Sequence, residues 1–409
     1  MQILCLSAWF PYPPDNGARI RLHHLLTALG SAHTVDLLCF FHGREEQVSP
    51  EVLPPGVSLL GALPAPTDRG SRPSLAGLFS PYPRALAEQS VPEMADRLKN
   101  ALARQSYDLV LAFEIGPGVT VAPYLLEVQS ARRVIEGLEI SMIWAKVQGA
   151  HSPSARLRYG LTWRKQRRYT RELLRRVDGC VVPSDVERRL ISDIVPDGPP
   201  LAVVPNGVDL GRYREDFGPV EMDALVFPGA LTYEANFEAM RFFLGEIFPR
   251  IRQTRPQATL YITGRTDGVD LRRLPLGEGV VLTGYLPDVR PRVARSAVCI
   301  APLTLGGGTR IKILEAMALG TPVVATSKGA EGLEVTPGRD LLIADDPAGF
   351  ADAVVRVLAS AELRASLSAA GRRLVAEQYD WRIIGGQLNA FLEQVYHEDT
   401  KTRSKSVNC

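Results

Sequence analysis

Short, continuously apolar runs alternate with longer amphipathic stretches along almost the whole chain. Runs at residues 3–7, 35–40, 57–60, 108–113, 133–137 and 179–183 form one series. Runs at 202–205, 224–227, 258–263, 280–283, 298–302, 322–325 and 340–344 form a second. Many show no in-and-out alternation, the pattern of parallel strands covered on both faces. Between them, positions 18–29, 94–104, 236–252, 311–319 and 350–359 carry helical periodicity. Strand–helix alternation of this kind predicts an α/β protein with parallel sheets and right-handed crossovers. Two series predict two doubly wound domains. The breaker-rich run Pro196-Asp197-Gly198-Pro199-Pro200 places the boundary, giving domains over 1–197 and 198–378. A last helix over 381–396 either caps the second domain or crosses back onto the first. The polar tail 397–409 is expected to be disordered.

A length of 409 residues suits two domains. The formal net charge of +2 gives no case for nucleic-acid binding. Cys5, Cys39, Cys180, Cys299 and Cys409 are widely spaced and form no C-x-x-C pair. That spacing argues against a disulfide framework or a zinc site and fits a reducing compartment. The opening Met1-Gln2-Ile3-Leu4-Cys5-Leu6-Ser7 is too short for a secretory apolar region, and no run approaches a membrane span. The expectation is a cytoplasmic protein, at most peripheral on the inner face of a membrane.

Candidate chemistry concentrates where an apolar run ends near Pro302 and the sequence continues Leu303-Thr304-Leu305-Gly306-Gly307-Gly308-Thr309-Arg310-Ile311-Lys312-Ile313-Leu314-Glu315. Glycines let backbone N–H groups approach a ligand, and a helix start adds unpaired donors and a positive dipole end. Arg310 and Lys312 place two cations where the dipole rule favours acids. The arrangement makes sense if a pyrophosphate sits at the loop. Glu315 shares the face of Lys312 and is placed to accept ribose hydroxyl protons. The alternative is a glycine-rich turn before a solvated basic helix.

This segment resembles the donor loop and following helix of the family-4 retaining glycosyltransferases, the group 1 glycosyl transferases. Pro205-Asn206-Gly207-Val208-Asp209 resembles that family's linker motif, and Leu282-Thr283-Gly284-Tyr285-Leu286-Pro287 its nucleobase-reading strand end. The most specific match is Leu314-Glu315-Ala316-Met317-Ala318-Leu319-Gly320-Thr321-Pro322. The resemblance implies a GT-B fold, two Rossmann-like domains facing a central cleft, and a helix within 379–396 crossing back. It also implies a hexosyltransferase-type activity using a nucleoside-diphosphate sugar, with retention, in polysaccharide or glycolipid assembly. By the same resemblance, Gly17, Gly229, Gly264, Tyr285, Leu286, Gly306, Gly307, Gly308, Thr309 and Glu331 are donor-binding candidates. Glu315 is the ribose partner, and Glu331 lies in the family-like run Gly329-Ala330-Glu331-Gly332-Leu333.

Two departures matter. Eight positions before Glu315 stands Gly307, so one carboxylate of the family's E-x7-E pair is absent. The run Phe227-Pro228-Gly229-Ala230-Leu231-Thr232-Tyr233-Glu234-Ala235-Asn236 lacks the Arg and Lys that many relatives carry there. Arg310 and Lys312 are therefore expected to replace that charge, which makes them the catalytic candidates together with Glu315. No D-x-D triplet stands ready to hold a metal-bound diphosphate, so no metal and no cofactor are expected.

In the first domain, Asn16-Gly17 follows the first strand at the usual crevice position of an open sheet, or is a plain strand–helix turn. Glu136 and Glu139 beside Ser141 are acceptor-side candidates or simply surface carboxylates, and no catalytic histidine is evident. His23 and His24 read as solvent or core residues, and His151 has no identifiable partner. Residues 156–176 carry nine Lys or Arg and one acid, Glu172, interleaved with Leu157, Tyr159, Leu161, Trp163 and Tyr169. Such a helix suits an anionic bilayer or a lipid-diphosphate acceptor, or is a solvated basic face. The partners expected are thus a nucleotide sugar and a sugar or lipid-linked sugar acceptor, with no nucleic acid. A sugar-nucleotide epimerase and a catalytically silent sugar-nucleotide-binding scaffold stay open as other classes.

Overall fold

A computed structural model describes residues 1–43, 48–66, 91–114, 119–150, 152–305 and 310–406, with the side chains of 398–406 left aside. His151, the loop residues Gly306, Gly307, Gly308 and Thr309, and Cys409 lie outside the described residues.

Seven parallel strands build the first sheet: β1 (Gln2–Ser7), β2 (Thr34–Phe41), β3 (Val57–Pro64), β4 (Leu109–Phe113), β5 (Arg132–Glu136), β6 (Gly179–Val182) and β7 (Leu201–Val203). Their order is β3-β2-β1-β4-β5-β6-β7. Every residue of β4 and β6 is buried, which is why those runs read as continuously apolar. β3, at one edge, is largely half-exposed and its pattern alternates in part. Helices α1 (Gly17–Ala32), α2 (Pro92–Arg104), α3 (Ser141–Gln148), α4 (Pro153–Leu174) and α5 (Asp185–Ile194) supply the crossovers and flanks.

Six parallel strands build the second sheet: β8 (Glu221–Pro228), β9 (Thr259–Thr263), β10 (Val280–Gly284), β11 (Ser296–Ala301), β12 (Val323–Ala325) and β13 (Leu342–Ile343). Their order is β10-β9-β8-β11-β12-β13. Helices α6 (Glu234–Phe242), α7 (Phe248–Thr254), α8 (Ile311–Leu319), α9 (Pro347–Ala359) and α10 (Ala361–Gln378) flank it. The helix expected over 236–252 is interrupted by a π-helical stretch, Phe243–Ile247. Pro249 causes this: it cannot donate to the preceding turn and its ring crowds the carbonyl four residues back.

The chain divides into one unit of Met1–Pro205 with Ile384–Cys409, and a second of Asn206–Ile383. The boundary therefore falls later than the expected 197/198. The run at 202–205 does not open the second series. It is β7, in register with β6 through Cys180↔Leu201, Val181↔Ala202 and Val182↔Val203. Backbone pairing outweighs the Pro and Gly residues before it.

The last helix, α11 (Trp381–Ser406), continues through most of the tail expected to be disordered. From Ile384 on it groups with the first unit. Asn389 Nδ2 donates to the Ala28 carbonyl at 3.1 Å, and Phe391 and Val395 pack over Gly179. Cys5, Cys39, Cys180 and Cys299 are buried and unpaired, and burial pushes every one of these thiols up. They behave as small hydrophobes. Among the described residues no helix is long and apolar enough to cross a membrane.

Candidate functional site

In an open parallel sheet, ligands collect beyond the carboxyl ends of the strands where the strand order reverses. In the second unit that point lies between β8 and β11. β8 ends on Pro228 and leads into Gly229, while β11 ends on Ala301 and leads through Arg310 into α8.

The two exits meet through one side chain. Lys312 is half-buried, with its amine enclosed. Its Nζ donates to Asn236 Oδ1 at 2.8 Å and sits 4.1 Å from the centre of the Phe227 ring. A Cβ built on Gly229 would lie 2.8 Å from that Nζ and 2.8 Å from Asn236 Nδ2. The loop that carries cations in many relatives is therefore kept bare, and the Lys312 amine occupies the space. Burial pulls the amine down to about 7. The charge of Arg310 lowers it further, while Cys299 and Glu315 oppose the fall.

Arg310 is buried and forms the N-cap position of α8 with no side-chain cap. The helix starts at Ile311 and has no acid in its first turn. It ends at Gly320, in the left-handed region at φ 77°, where a Cβ would run into the Arg372 guanidinium.

Glu315 follows Lys312 along α8. Its Oε1 accepts from the Tyr213 hydroxyl at 2.9 Å. Burial pushes the Glu315 carboxyl up, against the pull of Tyr213, Arg212 and Lys312. Tyr213 closes a short 3-10 turn, Leu210–Tyr213, whose start is capped by Asp209 of the linker-like motif. That motif thus sets the residue that holds Glu315, a link with no signal of its own in the sequence.

The neighbouring strand ends form a crest of backbone. Gly264 N donates to the Gly284 carbonyl at 2.9 Å, and Gly229 N to the Thr263 carbonyl at 3.3 Å. Gly264 has φ 102°, and a Cβ there would lie 2.7 Å from Ala230 N, so the close approach requires glycine. Tyr285 is 61% exposed, with the Arg265 guanidinium 5.5 Å from its ring centre, and Leu286 is half-buried beside it. Thr326 Oγ1 donates to the Leu303 carbonyl at 2.6 Å and accepts from Gly329 N at 2.8 Å, tying the loop after β12 to the exit of β11. Glu331, on that loop, is ion-paired with Lys328.

In the first unit, Asn16 caps α1, its side chain accepting from Arg19 N at 3.1 Å, and Gly17 is the first helical residue. Glu136, expected either to contact the acceptor or to be a plain surface carboxylate, does not lie at the surface. It is fully buried at the end of β5 and ion-paired with Arg21 of α1. Arg21 also donates to the carbonyls of Val204 at 2.7 Å and Pro205 at 3.1 Å. A buried charge with such a partner is structural. Glu139 is exposed after the left-handed Gly137, and the Glu187 carboxylate holds the same loop through the N–H groups of Ile140 and Ser141. A histidine absent from the sequence reading stands at the exit of β2: His42 stacks on Trp9 at 4.0 Å. Its signal was the His42-Gly43 step straight after an apolar strand.

Comparison with known proteins identifies the family. Residues 15–212 match the model described as Glycosyltransferase Family 4, and 223–360 the one described as Glycosyl transferases group 1. The chain belongs to the family-4, group 1 glycosyltransferases. A phosphatidyl-myo-inositol mannosyltransferase of Mycobacterium tuberculosis is 30% identical over 250 residues, 58% of this chain and 65% of the relative. The match thus spans less than two thirds of that relative's length. A GDP-mannose-dependent monoacylated alpha-(1-6)-phosphatidylinositol monomannoside mannosyltransferase of Corynebacterium glutamicum is 24% identical, covering 72% of this chain and 88% of the relative. Among solved structures, the sucrose-phosphate synthase of Thermosynechococcus elongatus superposes with a TM-score of 0.66 at 18% identity, covering 97% and 99% of the two chains. HepE of Anabaena, solved with UDP and glucose, gives 0.63 at 16% identity, covering 96% and 100%. These likenesses establish the GT-B fold.

Tyr213→Phe removes the one hydroxyl shown holding the enclosed Glu315 carboxylate. It is expected to destabilise the second unit by about 1–3 kcal/mol, read as a lowered midpoint in denaturant unfolding.

Proposed function

We propose that the chain transfers a hexosyl group from a nucleoside-diphosphate sugar to a hydroxyl acceptor, with retention at the anomeric carbon, in polysaccharide or glycolipid assembly. The observation that carries this reading is the Lys312 amine at Gly229 and Asn236, at the sheet's switch point, with Glu315 on the same helix. The bond from the anomeric carbon to the diphosphate oxygen breaks as the acceptor oxygen bonds to that carbon on the same face, and the acceptor proton passes to the departing diphosphate. Arg310 and Lys312 supply positive charge where the leaving group gains negative charge, an interaction stronger in the transition state than before it. Glu315 binds the ribose hydroxyls. No metal is required in this scheme, because the two side chains provide the counter-charge. Retention, the donor class and the setting rest on family membership. The GDP-mannose-dependent relative supports the donor class, and the phosphatidylinositol-based acceptors in the relatives' names support the glycolipid setting.

Arg310→Ala and Lys312→Ala should each lower kcat/KM by about 10²–10³-fold in a product-formation assay with a panel of sugar nucleotides. A chelator should leave the wild-type rate unchanged. Donor binding without turnover across the panel would favour the silent scaffold instead.

The acceptor reading extends to a lipid. The relatives named above act, by name, on phosphatidylinositol-based acceptors. On α4 the exposed Leu157, at 76%, and Leu161 share a face with Arg164 and Arg168. Leu161, Trp163, Arg164 and Arg168 line one surface concavity. An apolar end beside a basic end suits the interface of an anionic bilayer. The protein should co-sediment with phosphatidylglycerol vesicles at low salt, release as salt rises, and ignore phosphatidylcholine vesicles. Arg164→Glu with Arg168→Glu should abolish binding, and no binding by the wild type at low salt removes the membrane reading.

A further inference from the structure

We propose that Asn236 is a positioning residue that presents the Lys312 amine to the donor's diphosphate, and that donor binding draws a proton onto that amine. The inference rests on the donor reading above and adds to it the residue that aims the cation.

Asn236 is a buried polar residue on α6, 8% exposed, and both ends of its amide are used. Nδ2 donates to the Ala230 carbonyl at 2.9 Å, which fixes the amide plane against the loop leaving β8. Oδ1 then points at Lys312 Nζ, 2.8 Å away. The amide cannot turn over without placing its own N–H groups against the amine. A lysine side chain has four flexible bonds, and this one acceptor, with the Phe227 ring at 4.1 Å, holds it in a single place. Gly229 leaves the opening into which the amine projects, since any Cβ there would collide with both partners.

The same enclosure makes the amine's charge conditional. The groups facing it are the Cys299 thiol from β11, Arg310 at the start of α8, Glu315 one turn along, the neutral Asn236 amide from α6 and the Phe227 ring from β8. Glu315 is itself enclosed and engaged by Tyr213, and among the described residues no carboxylate pairs directly with the amine. With the amine pulled down to about 7, a large share of the unliganded protein carries it neutral at physiological pH. A diphosphate placed beside it raises the amine's affinity for a proton. The linkage sign follows. Donor affinity is fully present below the unliganded value. It is lost as pH rises from there toward the liganded value, by up to about tenfold per pH unit.

The test is calorimetric titration of UDP and GDP into the full chain across pH, read above about pH 7, where the phosphates are already ionised. Buffers of differing ionisation enthalpy report the protons taken up. Wild type should show affinity falling above about pH 7 with net proton uptake. Asn236→Leu removes the acceptor for the charged amine and should move the onset of the fall to lower pH. Asn236→Asp, nearly the same size, adds a carboxylate beside the amine and should move it to higher pH. Lys312→Met should abolish the pH dependence and the uptake. Opposite displacements by Leu and Asp are something a merely structural role would not give. Onsets unmoved in both Asn236 variants, or pH dependence intact in Lys312→Met, would overturn the inference. If neither nucleotide binds the wild type at any pH, nor ADP or dTDP in their place, the donor reading itself fails.

Discussion

An enclosed amine between the exits of two central strands is the constraint around which the second unit's switch point is organised. Lys312 springs from the first turn of α8, behind β11, and ends against Gly229 and Asn236, beyond β8. Burying an amine is unfavourable unless something compensates, and here one amide oxygen and one ring face do so only in part. The bare Gly229 leaves the space that amine occupies, and the fixed Asn236 amide accepts its hydrogen bond. An anion arriving at the switch point would complete an arrangement that is under-compensated without it. On the proposed function, that anion is the donor's diphosphate.

The first unit handles buried charge in the opposite way. Arg21 and Glu136 are paired in its interior, and Arg21 spends further donors on the carbonyls of Val204 and Pro205, where the chain leaves β7. Removing one member of such a pair is far more damaging than replacing both. The pair joins α1, β5 and the end of β7, so it fixes structure and is not available for an acceptor. At the exits of β1 and β2, by contrast, Trp9, His42 and Arg19 cluster through ring stacking and a cation–ring contact.

Much of the fold was legible because buried parallel strands leave continuous apolar runs, and α8 spans the expected 311–319. The membership of β7 was not legible. Its three residues are only half-buried, and sheet assignment depends on register with β6 rather than on local pattern. The break at Phe243–Ile247 was signalled by Pro249, which the periodicity of the surrounding apolar residues outweighed. Lys312, Arg310 and Glu315 stood out by type and spacing. Their partners did not: Asn236 and Tyr213 lie 76 and 102 positions away from the residues they hold. Glu136 misled because a carboxylate at a strand end looks the same in sequence whether it faces a ligand or a buried arginine.

The proposed function turns on contact between Lys312 and the donor's diphosphate. It is tested most directly by comparing the affinities of the nucleoside diphosphate and the bare nucleoside in wild type and Lys312→Met. The substitution should weaken diphosphate binding by about tenfold or more while leaving nucleoside binding unchanged. Equal losses for both ligands, or no loss for either, would contradict it.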